Sequence, residues 1–475
     1  MKKICQLILL TLLATLIFPV DTFAAGRKVA YPGGMHRLVR VYLTDKKGTP
    51  YRLKKPEEFL SARALERRKR QHISVDSTDL PISPTYLELI RNQGVEIVCQ
   101  SKWNNTVLVK TMLADDLDRL KQLPCVKNAV KVFQSPDSFT VPKRSKLDTT
   151  PYKQDSMENK EHGLAHQQIE MMNGVALHQA GFRGKGMLIA ILDGGFMNVD
   201  SISAFKSVDI IGTKDFSMPR ASNVYSELDH GTMVLSTMAT NLPHIYIGTA
   251  PEASYLLIRT ETGATESMAE EDYWAAGVEY ADSMGVDIVN SSLGYFSFDD
   301  KSTNYVYSDL DGNTSLISLT ASRLAGKGII LTNSAGNSGN GTWKKIGVPA
   351  DARDILAVGA VSKNKVNTVF SSVGPSADGR VKPDIMACGN ACSVIRGNGK
   401  IGTANGTSFA SPLACGMVAC LWQALPHLTA SQIMDLVRRS AHQYSTPDNI
   451  FGYGIPDFWK AYVNEESKSA NKKSR

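Results

Sequence analysis

Five short segments of this 475-residue chain carry the residue types that acyl-transfer chemistry needs. Asp193 follows the apolar run MLIAIL (187–192), His230 sits in DHGTMV, and Ser408 sits in NGTSFASP. Ser291 and Ser292 follow VDIVN, while Asn333 and Asn337 follow GIILT. A serine hydroxyl is a weak nucleophile until a neighbouring imidazole takes its proton. The imidazole needs a carboxylate that fixes its tautomer and stabilises its charged form. A tetrahedral intermediate carries an oxyanion, which needs preorganised donors, and a helix N-terminus under Ser408 would supply free backbone N–H groups. Taken singly, each residue has a plainer reading. Asp193-Gly194-Gly195 is a turn, His230 and Ser408 are helix caps, Asn337 is a turn residue, and Ser292-Leu293-Gly294 is a strand end. Their joint order is what argues for a site.

Such a site needs a frame, and residues 164–462 read as one. The runs MLIAIL, SYLLIR (254–259), VDIVNSS (286–292), GIILTNS (328–334) and ILAVGAV (355–361) are strands. Helical patterns cover 268–284, 315–325, 408–425 and 430–441. Near-continuous apolar strands alternating with helices specify an α/β fold, a doubly wound parallel sheet with helices on both faces. Open sheets of this kind hold their sites at the carboxyl ends of strands. Residues 26–135 differ. Strands at 36–43, 95–109 and 126–133 and helices at 56–71, 84–92 and 114–123 suggest a small α+β domain on an antiparallel sheet. The stretch 136–163 is polar and reads as a linker, and 463–475 reads as a disordered tail.

Three segments in chain order, ILDGGF (191–196), HGTMV (230–234) and GTSFASP (406–412), resemble the aspartate, histidine and serine motifs of the subtilisin-like serine proteases, the subtilases. The resemblance implies that Asp193 orients the base, His230 is the general base and then the general acid, and Ser408 is the nucleophile. NSAGNSG (333–339) is similar to the family's oxyanion-hole loop, which makes Asn337 a side-chain donor beside the Ser408 N–H. NSSLGY (290–295) is similar to its substrate-binding strand, which puts Ser292, Leu293 and Gly294 at the first specificity pocket. The implied function is a serine endopeptidase acting through an acyl-enzyme on proteins or peptides. The alternative is a catalytically silent subtilase-fold binding module, which the presence of all four chemical residues disfavours. No cofactor is implied for catalysis. Calcium often stabilises the family, but no acidic loop is assignable to it and no metal ligand is named. The chain departs from the family pattern at Gly194, where serine or threonine is usual, at Phe409, where methionine is usual, and at Tyr295, which is expected to narrow or cap the pocket.

Lys2–Lys3, the apolar stretch 4–20 and Thr22-Phe23-Ala24 read as a signal peptide over 1–24. The expectation is an exported protein, periplasmic or extracellular, with no stable membrane span. Subtilases commonly carry a propeptide that assists folding and plugs the active site. The resemblance gives residues 26–135 that role, as an intramolecular inhibitor, with maturation in the polar linker. Export permits disulfides. Of Cys99, Cys125, Cys388, Cys392, Cys415 and Cys420, Cys388 and Cys392 are close enough for a small-loop bridge, whereas Cys415 and Cys420 fall in an apolar helical run and read as buried small hydrophobes. The net charge is +7. The basic runs at 54–55, 67–70, 143–146 and 472–475 read as solvated faces and linkers, and no nucleic-acid motif accompanies them.

Overall fold

The computed structural model describes residues 27–473 apart from 32–33, 114, 142–143, 154–159 and 218–222. The segment 1–24, read as a signal peptide, lies outside the described residues. The centre of the fold is a seven-stranded, all-parallel sheet. In chain order its strands are β1 (Leu188–Asp193), β2 (Asp209–Asp215), β3 (Ser254–Arg259), β4 (Ile288–Ser291), β5 (Ile330–Ser334), β6 (Leu356–Val361) and β7 (Ile385–Cys388). Their spatial order is β7-β6-β5-β4-β1-β3-β2. Every residue of β1, β4, β5, β6 and β7 is buried, as expected of strands covered on both faces. From β1 the chain goes first to the edge strand β2, comes back inward to β3 beside β1, and then crosses to β4 on the other side of β1. The switch point therefore falls between β1 and β4, whose carboxyl ends are Asp193 and Ser291.

Three helices bear on this edge: α1 (His230–Ala239), α2 (Ala269–Met284) and α3 (Thr407–Ala424). Residues 407–422 of α3 are all buried. A helix apolar on every side belongs inside a large core, and α3 packs with β6 and β7 residues such as Val358 and Met386.

The N-terminal unit has a four-stranded antiparallel sheet, ordered Glu96–Ser101, Thr106–Thr111, Arg37–Leu43, Val126–Gln134. Period-two alternation sorts its side chains. Val39, Val41 and Leu43 join Val107, Val109, Ile90 and Leu120 in the unit's own core. Leu38 faces the other way and meets Ala269, Tyr273 and Ala276 of α2, together with Leu108, Val132 and Phe133.

Several expectations change. Residues 56–71 are not one helix: a 3-10 turn at Pro56–Glu58 precedes the helix Ala62–Arg70, capped by Ser61 Oγ accepting from Ala64 N at 3.2 Å. Within the stretch read as linker, Ser138–Val141 pairs with Arg27–Ala30 as an antiparallel ribbon. The tail is not disordered over 463–473, because the helix Phe458–Lys473 runs through it. Good helix formers without Gly or Pro propagate the turn there, with Lys468 bound to Glu465 one turn back at 3.0 Å. Cys388 and Cys392 are buried thiols rather than a bridge: Cys392 Sγ donates to the Cys388 carbonyl at 2.9 Å. The solvated reading of residues 67–70 fails at Arg67 and Arg68, which are 2% and 1% exposed. No helix among the described residues is long and apolar enough to cross a membrane.

Candidate active site

Asp193 is the last residue of β1 and fully buried. A buried carboxylate needs donors for its oxygens, and two are supplied. Gly194 N donates to Oδ1 at 2.8 Å, and His230 Nδ1 lies 2.9 Å from Oδ1 and 3.0 Å from Oδ2. An ionised carboxylate only accepts, so Nδ1 carries the proton and Nε2 is left as a free base. His230 is held at this distance by its position as the first residue of α1 and by a close backbone approach. Gly231 N donates to the Gly195 carbonyl at 3.0 Å, and a Cβ at Gly231 would fall 2.5 Å from that oxygen. Burial lowers the affinity of the imidazole for a proton, but the Asp193 charge and hydrogen bond, with Asp229 beyond, outweigh it and raise its pKa above 6.5.

Ser408 is the second residue of α3. The helix is entered through Gly406 at φ +150°, a conformation that side chains other than glycine rarely adopt. Pro412 lies four residues on and has no N–H, so the Ser408 carbonyl lacks its intrahelical donor. Ser292 Oγ fills that vacancy at 2.8 Å, and in return Ser408 Oγ donates to the Ser292 carbonyl at 3.4 Å. The turn that carries Ser408 is thereby tied to the segment that follows β4. Below it, buried Asn290 accepts from Ser411 Oγ at 2.9 Å and donates to Ser292 Oγ at 3.2 Å. The serine hydroxyl is not bonded to His230 in this state. Catalytic hydrogen bonds are often long before substrate binds, and a hydroxyl rotates to suit its partner. The two residues are neighbours through Phe409, whose ring lies 5.9 Å from the imidazole.

Asn337 follows β5. Its Oδ1 accepts from Thr407 N at 2.9 Å and Thr407 Oγ1 at 3.0 Å. Those bonds fix the amide orientation and leave Nδ2 as a donor. Asn337, Ser408, Ser292, Leu293 and Gly294 all line one cavity of about 170 Å³. Tyr295 does not cap it. That side chain is 2% exposed, stacked on Phe298, with its hydroxyl bonded to Glu261. Phe296, stacked face to face on Trp343 at 4.8 Å, lines the cavity instead.

The carboxylates of Glu261, Glu266 and Glu270 each bring one oxygen within 4.8 Å of the others. Calcium takes six to eight oxygens. Here Glu261 is engaged by Tyr295, and Glu270 by Thr262 N and Ser267 N, each at 3.1 Å. Burial and the charge of Asp299 push Glu266 up to about 7, and burial and the charge of Glu266 push Glu270 up to about 8.

A sequence model described as the subtilase family matches residues 184–454, more than half of the chain. The chain belongs to the subtilase family. It is a serine endopeptidase by that membership, with the parallel α/β fold described above. A second model, the peptidase S8 propeptide domain of Bacteroidota, matches residues 38–149. Among curated relatives, subtilisin NAT of Bacillus subtilis subsp. natto is 29% identical over 291 residues, covering 60% of this chain and 68% of that protein. Subtilisin of Bacillus pumilus is 28% identical over 292 residues, covering 60% and 94%. A thermostable alkaline protease of Halalkalibacterium halodurans is 28% identical over 293 residues, covering 60% and 70%.

In this subtilase the position after the aspartate, where the family usually carries a hydroxyl, is tight. A Cβ at Gly194 already meets Leu228 Cδ1 at 3.0 Å and Glu261 Cβ at 3.5 Å. The larger surprise is how the propeptide domain docks. Arg40 pairs with Asp272 at 2.7 Å, and Arg67 with Asp282 at 2.5 Å. Arg68 bridges Asp282 and Asp79, both at 3.0 Å. Ser101 Oγ, Lys102 N and Trp103 N all donate to Glu279. Burial pushes Glu271 up to about 7 against the pull of Arg40, whereas Arg67 and Arg68 overcome burial to hold Asp282 below its usual value. The acidic face of α2 is therefore a charge-matched seat for the propeptide's arginines.

Proposed function

We propose that Asp193, His230 and Ser408 are the catalytic triad, with Asn337 and the Ser408 N–H as oxyanion donors. The observation that carries this reading is the cavity that Ser408 and Asn337 share, together with the Asp193–His230 pair, whose imidazole lies 5.9 Å from the ring of Phe409, the residue after Ser408. Substrate backbone lies along 292–294, and Ser408 Oγ attacks the scissile carbonyl carbon while His230 Nε2 takes its proton. The carbonyl electrons move to oxygen, where Asn337 Nδ2 donates to the negative charge. The intermediate then collapses: the C–N bond breaks, the amine leaves with the proton from Nε2, and an ester to Ser408 remains. Water, deprotonated by His230, attacks that ester, and the acid product leaves as the hydroxyl is re-formed. Asp193 stays ionised throughout, supporting the imidazolium. Digestion of a peptide library by the wild type and by Ser408→Ala tests this. Equal cleavage by both would remove the proposal.

Residues 26–135 act, in this reading, as an inhibitory propeptide, and the chain is exported as a zymogen through its first 24 residues. The binding-module alternative has no observation in its favour. Support for maturation in the linker 136–163 comes from where its described part runs. Arg144 Nε donates to Asn198 Oδ1 at 2.5 Å, and Asn198 Nδ2 donates to the Ser145 and Gly397 carbonyls. Gly397 N in turn binds Asp229, the neighbour of His230. Mass spectrometry of mature protein is expected to show a start within the linker. A start near residue 26 would remove the propeptide assignment.

A further inference from the structure

The cavity beside Ser408 has an unusual electrostatic character. It is bounded by residues 292–294 and 334–338 and completed by Phe296, Gly347, Ser372 and Lys345. Lys345 is the single charged side chain among its lining residues, and no carboxylate lines it. Lys345 and Gly347 are two apart on an extended segment, so they present to the same side, whereas Ile346 between them is buried in the core. The Lys345 ammonium donates to the Gly374 carbonyl at 2.7 Å and lies 5.3 Å from the Tyr307 ring centroid. No acidic side chain pairs with it among the described residues. Asp378, which raises the pKa of Tyr307, is itself held by Arg353 and Arg380. An ammonium has three donors, so Lys345, a half-buried lining residue of the cavity, keeps hydrogen-bonding capacity beyond its bond to Gly374 and has no counter-charge among the described residues.

We propose that Lys345 selects substrates whose residue on the acyl side of the cleaved bond is acidic, with glutamate favoured by its reach. The inference rests on the triad reading and on 292–294 as the substrate strand, and it adds the substrate class. A carboxylate entering the cavity meets the unpaired ammonium and the Ser334, Ser338 and Ser372 segments. A lysine at the same place meets a like charge in a partly desolvated pocket, where repulsion is stronger than in water. Phe296 supplies one aromatic wall, too little on its own to make aromatic residues the preferred class.

The test uses the matured enzyme with peptides that differ only in the residue donating the scissile carbonyl: glutamate, glutamine, phenylalanine or lysine. Glutamate and glutamine have the same shape, so their ratio of kcat/KM isolates charge. The expected ratio is at least about tenfold in favour of glutamate, with lysine the poorest substrate. Lys345→Glu should reverse the order of glutamate and lysine, a gain that misfolding cannot produce. Preference for phenylalanine in the wild type, or a glutamate-to-glutamine ratio unchanged in Lys345→Glu, overturns the proposal while leaving the protease reading intact. Failure to cleave any peptide, together with no fluorophosphonate labelling of Ser408, overturns both.

Discussion

Arg67→Met should loosen the grip of the propeptide by about two orders of magnitude. All the partners of Arg67 belong to the catalytic domain. Its guanidinium pairs with Asp282 at 2.5 Å and donates to the Val286 carbonyl at 2.6 Å and the Lys327 carbonyl at 3.2 Å. Methionine keeps most of the stem volume and removes the charge. Breaking a buried ion pair from one side costs about 3–5 kcal/mol, because the remaining charge stays buried. Arg68 still reaches Asp282 at 3.0 Å, which favours the lower end. At about 1.4 kcal/mol per tenfold, a loss of ~3 kcal/mol is roughly a hundredfold in affinity. The assay is inhibition of mature enzyme by the propeptide unit supplied separately, followed as the inhibition constant. The substitution should leave that unit's own fold intact, since Arg67 contributes no bond within it. Arg37→Met, at an exposed arginine bonded to Gln134, is the control and should change nothing. A change of less than about threefold for Arg67→Met would refute the view that buried ion pairs hold the propeptide.

Three further outcomes follow from the site and the core. Asn337→Ala should lower kcat by about 10²–10³, the loss measured for the equivalent donor in a member of this same family, with little change in KM. Because the charge and hydrogen bond of Asp193 raise the pKa of His230, kcat/KM should fall on an acid limb displaced upward from that of an ordinary imidazole. Asp193→Asn should move that limb to lower pH, and a wild-type limb at pH 6 or below would contradict the assignment. His162 and His178 are buried and hydrogen-bonded at 2.8 Å, and burial lowers them to about 4 and about 3. The unfolded chain binds those protons near 6.5, so stability is full above pH 6.5 and is lost as pH falls toward 3–4. Chemical denaturation of Ser408→Ala protein should show a loss of several kcal/mol between pH 7 and 4, at ~1.4 kcal/mol per unit of displacement. A pH-independent midpoint would argue against a neutral buried pair.

Five of the seven strands of the parallel sheet were legible as continuous apolar runs, whereas β2 (DIIGTKD) is half-exposed and polar at the sheet edge and β7 (IMAC) is only four residues long. Asp193 was legible at a strand end, and His230 and Ser408 at helix starts, in family order. The docking arginines were not. Arg67 and Arg68 sit in ARALERRKR, which reads as a charged solvent face, and their partner Asp282 is more than two hundred residues away. Nothing local distinguishes an arginine awaiting such a partner from a solvated one. Asn290 and Lys345 share that difficulty: a polar residue inside an apolar strand or a loop acquires its role only when other segments close around it. Tyr295 misled for the reverse reason. Its size suggested a lid, but Phe298 and Glu261 draw the ring into the core. The tail 463–473 lacks the apolar periodicity that signals a packed helix, yet its residues have helix propensity and continue a helix already anchored by Phe458.

The central claim is that residue 408 is the nucleophile and that residue 230 activates it. Intact-protein and peptide mass spectrometry after reaction with a fluorophosphonate measures this directly. One adduct, on Ser408, is the predicted result for the wild type, with none on Ser408→Ala and a large fall in labelling rate for His230→Ala. An adduct on a different residue, or labelling undiminished by either substitution, would contradict it.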